Sequence, residues 1–409
     1  MQYLLVTHIP FARLEDGTSV LDGLWAEDLK GLVAAIGPIT VAAPQLTAQQ
    51  LQSWGPGVIS LAPEDRIAFV GLPIRKGRLD FTYAARVRKA LRGAVTKADL
   101  VHSSNLFQSD LALYYAHDLA VKLNKKTLFV VAEDFYDMQL WEWIRPERHW
   151  LKRWRAQLLL DKLDRHVRRR VQTSSLTFLH TPAAVARYRL FAANGVAIRQ
   201  PVHEREDVIS AERFAARRAA QLNLEPLTVC TAGRLEPLKG VDFLLRAVSI
   251  LKQRDIFVRA RLYGRGKQLD ALKALAGRLG IDDRVEFPGA LSPTSVLREA
   301  LAGADLFLMP HLSSDFGRAF FDGLSAGCPV IAFRSIASED TVRHGVDGLI
   351  APNADDEGLA DAIAQYHRDR EMLVRASEAA RARALENTKS FWSGYRARMI
   401  LDLFPASRP

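Results

Sequence analysis

Two basic residues follow a predicted buried strand in the second half of the chain. The strand 227–231 runs towards Gly233 and Arg234, and Lys239 stands with Gly240 at the start of a predicted helix. Two cations beside the free backbone amides of a helix N-terminus suit the binding of a diphosphate. A surface arginine and a helix-capping lysine would produce the same pattern without a ligand. The spacing therefore indicates a phosphate site but does not establish one by itself.

A second polar loop connects the apolar strand 306–309 to the predicted strand 330–333. It contains Ser314, Asp315, Phe316, Gly317 and Arg318, and a short predicted helix with Asp322 follows. Open α/β folds bind ligands where strand ends meet helix N-termini, which is where such a loop lies. Gly317 permits close backbone approach, so the amides beside it would face a phosphate or another negatively charged group.

A Gly-x-Gly sequence at Gly264 and Gly266 follows the predicted strand 258–263. Tight turns alone can explain these glycines. A dinucleotide site would place an acidic residue further on for the ribose, and none stands at the required position. The sequence therefore does not predict an NAD enzyme.

The first half of the chain offers fewer chemical candidates. Glu133 and Asp134 end the predicted strand 127–132, where a carboxylate could act as a general base. An N-cap role for the next helix explains them equally well. His102, at a strand end, and Gly17, in the first loop, are candidates for an acceptor side, although a lone histidine at a strand end is more often structural.

Short apolar runs, typical of buried strands, alternate with segments whose apolar residues have helical spacing, along both halves of the chain. Strands are predicted at 3–6, 39–42, 67–70, 100–102, 127–132 and 176–180, and then at 227–231, 258–263, 285–287, 306–309, 330–333 and 348–350. This alternation predicts an α/β fold with doubly wound parallel sheets. We expect residues 8–19 to form a loop and the charged residues 200–224 to form a linker between two domains.

The composition agrees with a two-domain protein. A length of 409 residues is too long for one ordinary core. The net charge of +10 suggests phosphate-rich partners, or merely a basic surface, and no nucleic-acid motif accompanies it. Cys230 and Cys328 are expected to be buried thiols rather than a disulfide. Without a signal peptide or an apolar run of about 20 residues, we expect a cytoplasmic location.

Residues 141–170 combine many basic side chains with Trp141, Trp143, Trp150 and Trp154. Basic residues interleaved with tryptophan suit the headgroup region of an anionic membrane. The alternative is a solvated basic helix whose Trp and Leu residues belong to the core. We favour peripheral contact with an anionic membrane through this segment.

The order of the second-half motifs resembles a known family. The sequence Gly-Arg-Leu-x-x-x-Lys-Gly precedes Gly-x-Gly, then Phe-x-Gly, then the loop of residues 313–332. This order is similar to that of the retaining glycosyltransferases of the GT-B fold, of the family-four or group 1 type, over about residues 227–385. The resemblance implies two Rossmann-like doubly wound domains facing across a cleft. Residues 1–203 would bind the acceptor, with the helix 388–409 crossing back to them, and residues 204–387 would bind the nucleotide sugar.

The family's site residues transfer to this sequence with departures. Arg234 and Lys239 match the pair that neutralises the donor diphosphate. The other donor-binding candidates are Gly264, Ser314, Asp315, Phe316, Gly317, Arg318 and Asp322. Ser314 replaces a glutamate that touches the donor sugar, with Asp315 beside it, and Asp322 replaces a glutamate that holds the ribose. Glu133 stands where many relatives carry a histidine near the reacting sugar.

The resemblance implies transfer of a sugar, with retention, from a UDP- or GDP-sugar to a glycan or lipid-linked acceptor. It also implies a role in bacterial surface polysaccharide or lipopolysaccharide biosynthesis. Arg234, Lys239, Glu133 and Asp134 would be the catalytic candidates, and the cations and helix amides would replace a metal ion. Two alternatives stay open: a catalytically silent binding or scaffold protein with this fold, and a sugar-nucleotide epimerase.

Overall fold

The computed structural model describes residues 1–47, 49–50, 58–75, 80–105, 110–132, 149–291, 294–312 and 319–404. The chain divides into two compact units. The first comprises Met1–Ile198 with Ser393–Pro409, and the second comprises Arg199–Trp392. The sequence prediction placed this division after residue 203 and gave residues 388–409 to the first domain.

The first unit is built on a ten-stranded sheet. Its strands are β1 (Tyr3–Val6), β2 (Phe11–Arg13), β3 (Ser19–Asp22), β4 (Ile39–Leu46), β5 (Val58–Leu61), β6 (Ile67–Leu72), β7 (Leu100–Ser104), β8 (Lys126–Val131), β9 (Leu176–Leu179) and β10 (Gly195–Ala197). The order β10-β9-β8-β7-β1-β4-β6 is parallel throughout. The end of β4 extends beyond β1 and pairs with β2, from which the antiparallel strands β3 and β5 continue.

Helices cover this sheet because each presents an apolar stripe to it. They are α1 (Gly23–Ile36), α2 (Tyr83–Lys97), α3 (Asp110–Lys122), α4 (Trp150–Thr173), α5 (Pro182–Tyr188) and the later residues of α14 (Lys389–Leu401). In α2 the buried residues are Val87, Leu91 and Val95, which recur every four residues as a helix facing a sheet requires. They share one apolar cluster with Phe129 of β8 and Leu160 of α4.

The second unit contains a six-stranded sheet in the order β13-β12-β11-β14-β15-β16, and every pairing is parallel. Its strands are β11 (Leu227–Ala232), β12 (Val258–Tyr263), β13 (Val285–Gly289), β14 (Leu306–Met309), β15 (Val330–Phe333) and β16 (Gly348–Ala351). Its helices are α6 (Ala211–Leu222), α7 (Val241–Gln253), α8 (Leu269–Leu279), α9 (Thr294–Leu301), α10 (Ala319–Ser325), α11 (Ile336–Thr341), α12 (Asp356–Arg368) and α13 (Arg370–Glu386).

The central strands of the second unit are apolar on both faces because helices cover both faces. Leu306 and Leu308 of β14 belong to one apolar cluster, whereas Phe307 and Met309 belong to another. All four residues are buried. A continuous apolar run is the sequence pattern of such a strand in a doubly wound sheet.

The predicted fold class, α/β with two Rossmann-like parallel sheets, is confirmed, and two segment predictions were wrong. Residues 8–19 are not a plain loop, because they contain β2 and the first residue of β3. Residues 200–224 are not a linker between two domains, because they contain α6, which belongs to the second unit. The guanidinium of Arg217 in α6 donates hydrogen bonds to the carbonyls of Ala304, Ala326 and Gly327. A charged residue thus anchors a helix that lacks a strong apolar stripe.

Candidate functional site

The ends of three neighbouring strands bring the predicted ligand loops together in the second unit. Strands β12, β11 and β14 are adjacent and parallel, so their carboxyl ends lie at one edge of the sheet. Gly264 follows β12, Arg234 follows β11, and His311 lies just beyond β14. This edge is where open parallel sheets bind ligands.

The loops after β11 and β12 are in direct backbone contact. Gly233 N–H donates to the Tyr263 carbonyl and Gly264 N–H donates to the Gly289 carbonyl, each at 2.9 Å. A Cβ atom on Gly264, whose φ is +155°, would lie 1.8 Å from the Gly233 carbonyl oxygen. Packing between the two loops therefore requires this glycine, whatever the ligand. The Gly-x-Gly sequence has a structural cause.

The start of α7 is held against the loop that follows β14. Lys239 ends a short turn that leads into α7, and Gly240 has a left-handed φ of +59°. A Cβ atom on Gly240 would lie 1.9 Å from the Pro310 carbonyl oxygen. Leu312 N–H also donates to the Leu238 carbonyl at 2.9 Å. The predicted phosphate loop and the predicted sugar loop thus begin side by side.

Arg234 has a partner that the sequence analysis missed. Its side chain is 73% exposed, and its Nη1 atom lies 3.3 Å from a carboxylate oxygen of Glu236. An exposed pair of this kind contributes at most about 1 kcal/mol. A pair this weak would not prevent a phosphate from displacing the carboxylate. The signal was present in the sequence, since an acid two residues after an arginine in one loop can reach it.

Asp322 lies in the first turn of α10 and is only 8% exposed. Its helix packs closely on β14, since a Cβ atom on Gly323 would lie 2.7 Å from the Phe307 ring. His311, 7% exposed, precedes the segment that leads into α10. His311 was not predicted as a site residue, although it has the same signal as the predicted ones, a polar residue just after a buried strand.

Seven predicted site residues lie outside the described part of the chain: Glu133, Asp134, Ser314, Asp315, Phe316, Gly317 and Arg318. Their assignment stays a prediction. The second unit contains the other four residues of the predicted donor-binding set, Arg234, Lys239, Gly264 and Asp322.

His102, predicted on the acceptor side, has a partner within the first unit. Its Nδ1 atom lies 2.6 Å from the Tyr3 hydroxyl, a hydrogen-bonding distance. Burial, and secondarily the positive charge of Arg396 in α14, lowers the pKa of His102 to about 3. The same two causes, with a smaller contribution from His102, lower the pKa of His180 to about 3. The imidazole of His102 is therefore neutral and part of a polar cluster beside α14.

Gly17 lies in the turn that joins β2 to β3. Its φ is +86°, and its N–H donates to the Leu14 carbonyl at 3.0 Å. Leu14 N–H in turn donates to the Thr18 carbonyl at 2.8 Å. The turn itself therefore accounts for the glycine.

The described residues contain no group of three or more His, Cys, Asp or Glu side chains that could hold a metal ion. Nor does any helix in the described ranges have the length and apolar character needed to cross a bilayer. The arrangement at the carboxyl edge of the second unit is instead cationic. The exposed side chains of Arg265 and Lys267 follow β12, close in sequence to Gly264. Such an edge suits a phosphorylated ligand.

Known proteins resemble part of this chain in sequence. Residues 212–383 match the family described as Glycosyl transferases group 1. The D-inositol 3-phosphate glycosyltransferase of Streptomyces griseus is 32% identical over 204 residues, which are 48% of this chain and 42% of that protein. A GDP-mannose-dependent alpha-(1-6)-phosphatidylinositol monomannoside mannosyltransferase of Mycobacterium tuberculosis is 33% identical over 178 residues, which are 42% of this chain and 46% of that protein. The chain thus spans less than half the length of these curated relatives.

The fold is shared over nearly the whole chain. The crystal structure of HepE from Anabaena in complex with UDP covers 98% of this chain and 100% of its own, with a TM-score of 0.68 and 17% identity. The family match includes Arg234, Lys239, Gly264 and Asp322. The chain therefore has the GT-B fold, and its segment 212–383 matches the glycosyl transferases group 1 family.

Proposed function

We propose that this chain transfers a sugar from a nucleotide-sugar donor to a glycan or lipid-linked acceptor, with retention at the anomeric carbon. One observation carries the proposal. The loop between β11 and α7 presents Arg234 and Lys239 at the carboxyl edge of the sheet, in backbone contact with the loop after β14. A diphosphate bound there places its sugar beside the segment that leads to Asp322.

The chemistry follows from the charge that develops on the donor. As the bond between the anomeric carbon and the diphosphate breaks, negative charge grows on the leaving oxygen. The guanidinium of Arg234, the ammonium of Lys239 and the first amides of α7 stabilise that charge without a metal ion. The leaving oxygen accepts the proton of the acceptor hydroxyl, whose oxygen bonds to the anomeric carbon on the same face. Arg234 and Lys239 are thus the catalytic residues of the second unit.

A UDP- or GDP-sugar is the proposed donor. HepE binds UDP in its crystal structure, and the mycobacterial relative depends on GDP-mannose. In the proposed complex, the carboxylate of Asp322 accepts hydrogen bonds from the ribose hydroxyls. The position of Asp322 favours this role, because it lies in the first turn of the helix that follows the loop after β14.

Helix α4 supports an acceptor at a membrane surface. Trp150, Leu151, Trp154 and Leu158 are exposed along one side of its first half, with Lys152, Arg153, Arg155, Lys162 and Arg165 also exposed. The opposite side buries apolar residues such as Leu160, so the exposed tryptophans are not core. This exposed side fits the headgroup region of an anionic membrane. We place the reaction at the inner face of the cell membrane, in surface polysaccharide or lipopolysaccharide synthesis.

Substitution of the two cations tests the donor site. Arg234→Ala and Lys239→Ala should each weaken the affinity for UDP or GDP at least about tenfold, because each removes a charge-assisted contact to the diphosphate. Isothermal titration calorimetry measures the affinity. Lys252→Ala is the matched control, because Lys252 lies in the last turn of α7, at the other end from Lys239, and pairs with Asp283. Unchanged affinity in both variants would contradict the phosphate assignment.

Product analysis tests the reaction itself. The wild type is incubated with UDP- and GDP-sugars, with and without a panel of glycan and lipid-linked acceptors, before and after treatment with EDTA. We expect transfer that needs an acceptor, retains the anomeric configuration and survives EDTA. Binding without turnover would indicate a silent protein, and donor conversion without an acceptor would indicate an epimerase.

A further inference from the structure

A groove of about 470 Å³ opens at the carboxyl ends of β4 and β6 in the first unit. Its lining includes Gln45, Thr47, Gln50, Gly71, Leu72 and Arg86. Its volume lies in the range of small-ligand sites, roughly 300–1,000 Å³. The geometry points to a binding site for an uncharged sugar unit of the acceptor glycan. This inference rests on the proposed function for its biological meaning, and it is tested separately below.

The amide of Gln45 is the main polar group of the groove. A Cβ atom on Gly71 would lie only 2.1 Å from the Oε1 atom of Gln45, which is too close for both to be accommodated. The glycine therefore makes room for the amide between two paired strands. Within the described residues, the Gln45 side chain makes no hydrogen bond. A side-chain amide offers a carbonyl acceptor and two N–H donors, which match adjacent sugar hydroxyls.

Thr47 and Gln50 are held in place by each other. Thr47 N–H donates to Oε1 of Gln50 at 3.0 Å, and Gln50 N–H donates to Oγ1 of Thr47 at 3.3 Å. This reciprocal pairing fixes both side chains before any ligand binds, which lowers the entropy cost of binding. The Thr47 hydroxyl retains its own proton and can donate it to a ligand.

The charge of the groove favours a neutral ligand over a phosphate. Arg86 contributes a guanidinium, but it forms an ion pair with Asp80, whose side chain is only 8% exposed. The carboxylate offsets the positive charge, while the remaining N–H groups of the guanidinium can donate to hydroxyls.

The groove lies on the ligand-binding edge of its sheet. Strand β4 is the neighbour of β1, and both point the same way, so the groove opens at the carboxyl edge of the first unit's parallel strands. That edge is the side on which an open α/β sheet binds ligands. A sugar of the acceptor chain can therefore be held here through hydroxyl contacts while another part of the acceptor reacts.

The test uses methyl glycosides of glucose, galactose, mannose and N-acetylglucosamine, with glucose 6-phosphate as the charged probe. Saturation-transfer NMR on the full chain measures each affinity. We expect at least one methyl glycoside to bind, and Gly71→Ala to weaken it about tenfold because the new Cβ displaces the Gln45 amide. Gln45→Ala removes the same amide from an exposed position and provides a second variant if Gly71→Ala folds poorly. Gly93→Ala is the control, because a Cβ there meets nothing within 4 Å.

Each outcome decides the inference separately from the proposed function. Glycoside binding that is sensitive to Gly71→Ala or Gln45→Ala supports the groove, even if the protein binds no UDP or GDP and the proposed function fails. The absence of glycoside binding, or equal binding by both groove variants, overturns the groove even if UDP binds normally. Binding of glucose 6-phosphate alone also overturns it, because the site would then recognise the phosphate.

Discussion

At the scale of single residues, Arg234 combines exposure with a weak internal partner. Its ion pair with Glu236 holds the guanidinium near the carboxyl edge when no ligand is bound. A diphosphate carries more charge than one carboxylate and can make bidentate contacts, so in the proposed complex it would displace Glu236 at low cost. The pair therefore positions the arginine without blocking the site.

The histidine beside Tyr3 predicts a measurable pH dependence of stability. The pKa of His102 is about 3 in the folded protein, below the value of 6.5 for an exposed imidazole. As the pH falls below about 6.5, the unfolded chain binds a proton at this position that the folded chain does not, so stability is lost down to about pH 3. His102→Gln should reduce the slope of the unfolding free energy against pH by up to about 1.4 kcal/mol per pH unit.

Urea denaturation at a series of pH values between about 7 and 4.5 measures this slope. His149→Gln is the control, because His149 is exposed at the start of α4. Glutamine keeps a polar partner for the Tyr3 hydroxyl, so the change in slope is separated from the loss of the hydrogen bond. An unchanged slope in His102→Gln would show that the imidazole is protonated in the folded protein.

At the scale of elements, the contact between two loops controls the proposed phosphate site. Gly240→Ala should destabilise the second unit by about 1–2 kcal/mol for the left-handed backbone, and by roughly a further 1–3 kcal/mol for the clash with the Pro310 carbonyl. Because the start of α7 must then move, the affinity for UDP or GDP should fall at least about tenfold.

Gly280→Ala is a matched control for this prediction. Gly280 also ends a helix region with a left-handed φ, +62°, but a Cβ atom there would meet nothing within 4 Å. Gly280→Ala should therefore lose only the stability that a left-handed backbone costs a non-glycine residue, and it should bind nucleotide normally. Chemical denaturation and calorimetry compare the two variants. Equal nucleotide affinity in both would mean that the loop contact does not position the site.

Sequence patterns predicted the central parallel strands well because burial on both faces leaves continuous apolar runs such as Leu306–Met309. They missed β2, β3, β5 and β10, each of which contains an exposed residue. An exposed residue in a strand of three or four residues interrupts the apolar run, and little local signal remains. Helix α6 was missed for a related reason, since hydrogen bonds from Arg217 anchor it.

The same limit applies to the candidate site. Arg234, Lys239 and Asp322 could be selected as candidates because each stands in a local pattern beside a strand end or a helix start. The reason for Gly240 was not accessible, because its contact, Pro310, lies far away in the sequence. Likewise, the sequence suggested an acceptor role for His102, whereas its contact with Tyr3 depends on the pairing of β1 with β7.

At the scale of the whole molecule, two features could bind an anionic membrane: the net charge of +10 and the exposed surface of α4. The first half of α4 carries several of the exposed basic residues together with Trp150 and Trp154, which are 66% and 56% exposed. A general excess of positive charge would attract anionic vesicles to any part of the protein surface. The surface of α4 would instead bind them by inserting its aromatic rings into the bilayer. The two possibilities differ in their response to substitution and to salt.

Cosedimentation with vesicles distinguishes them. The wild type should bind vesicles that contain phosphatidylglycerol and not pure phosphatidylcholine, and binding should weaken as salt screens the attraction. Replacing Trp150 and Trp154 together by Ser should weaken binding at least about tenfold, because the rings lose their apolar contact with the bilayer. Leu190→Ser is the control, because Leu190 is 95% exposed in the same unit but lies outside α4. If the tryptophan variant binds as the wild type does while reversal of charges between Lys152 and Arg169 abolishes binding, the attraction is purely electrostatic and the proposed insertion of α4 is wrong.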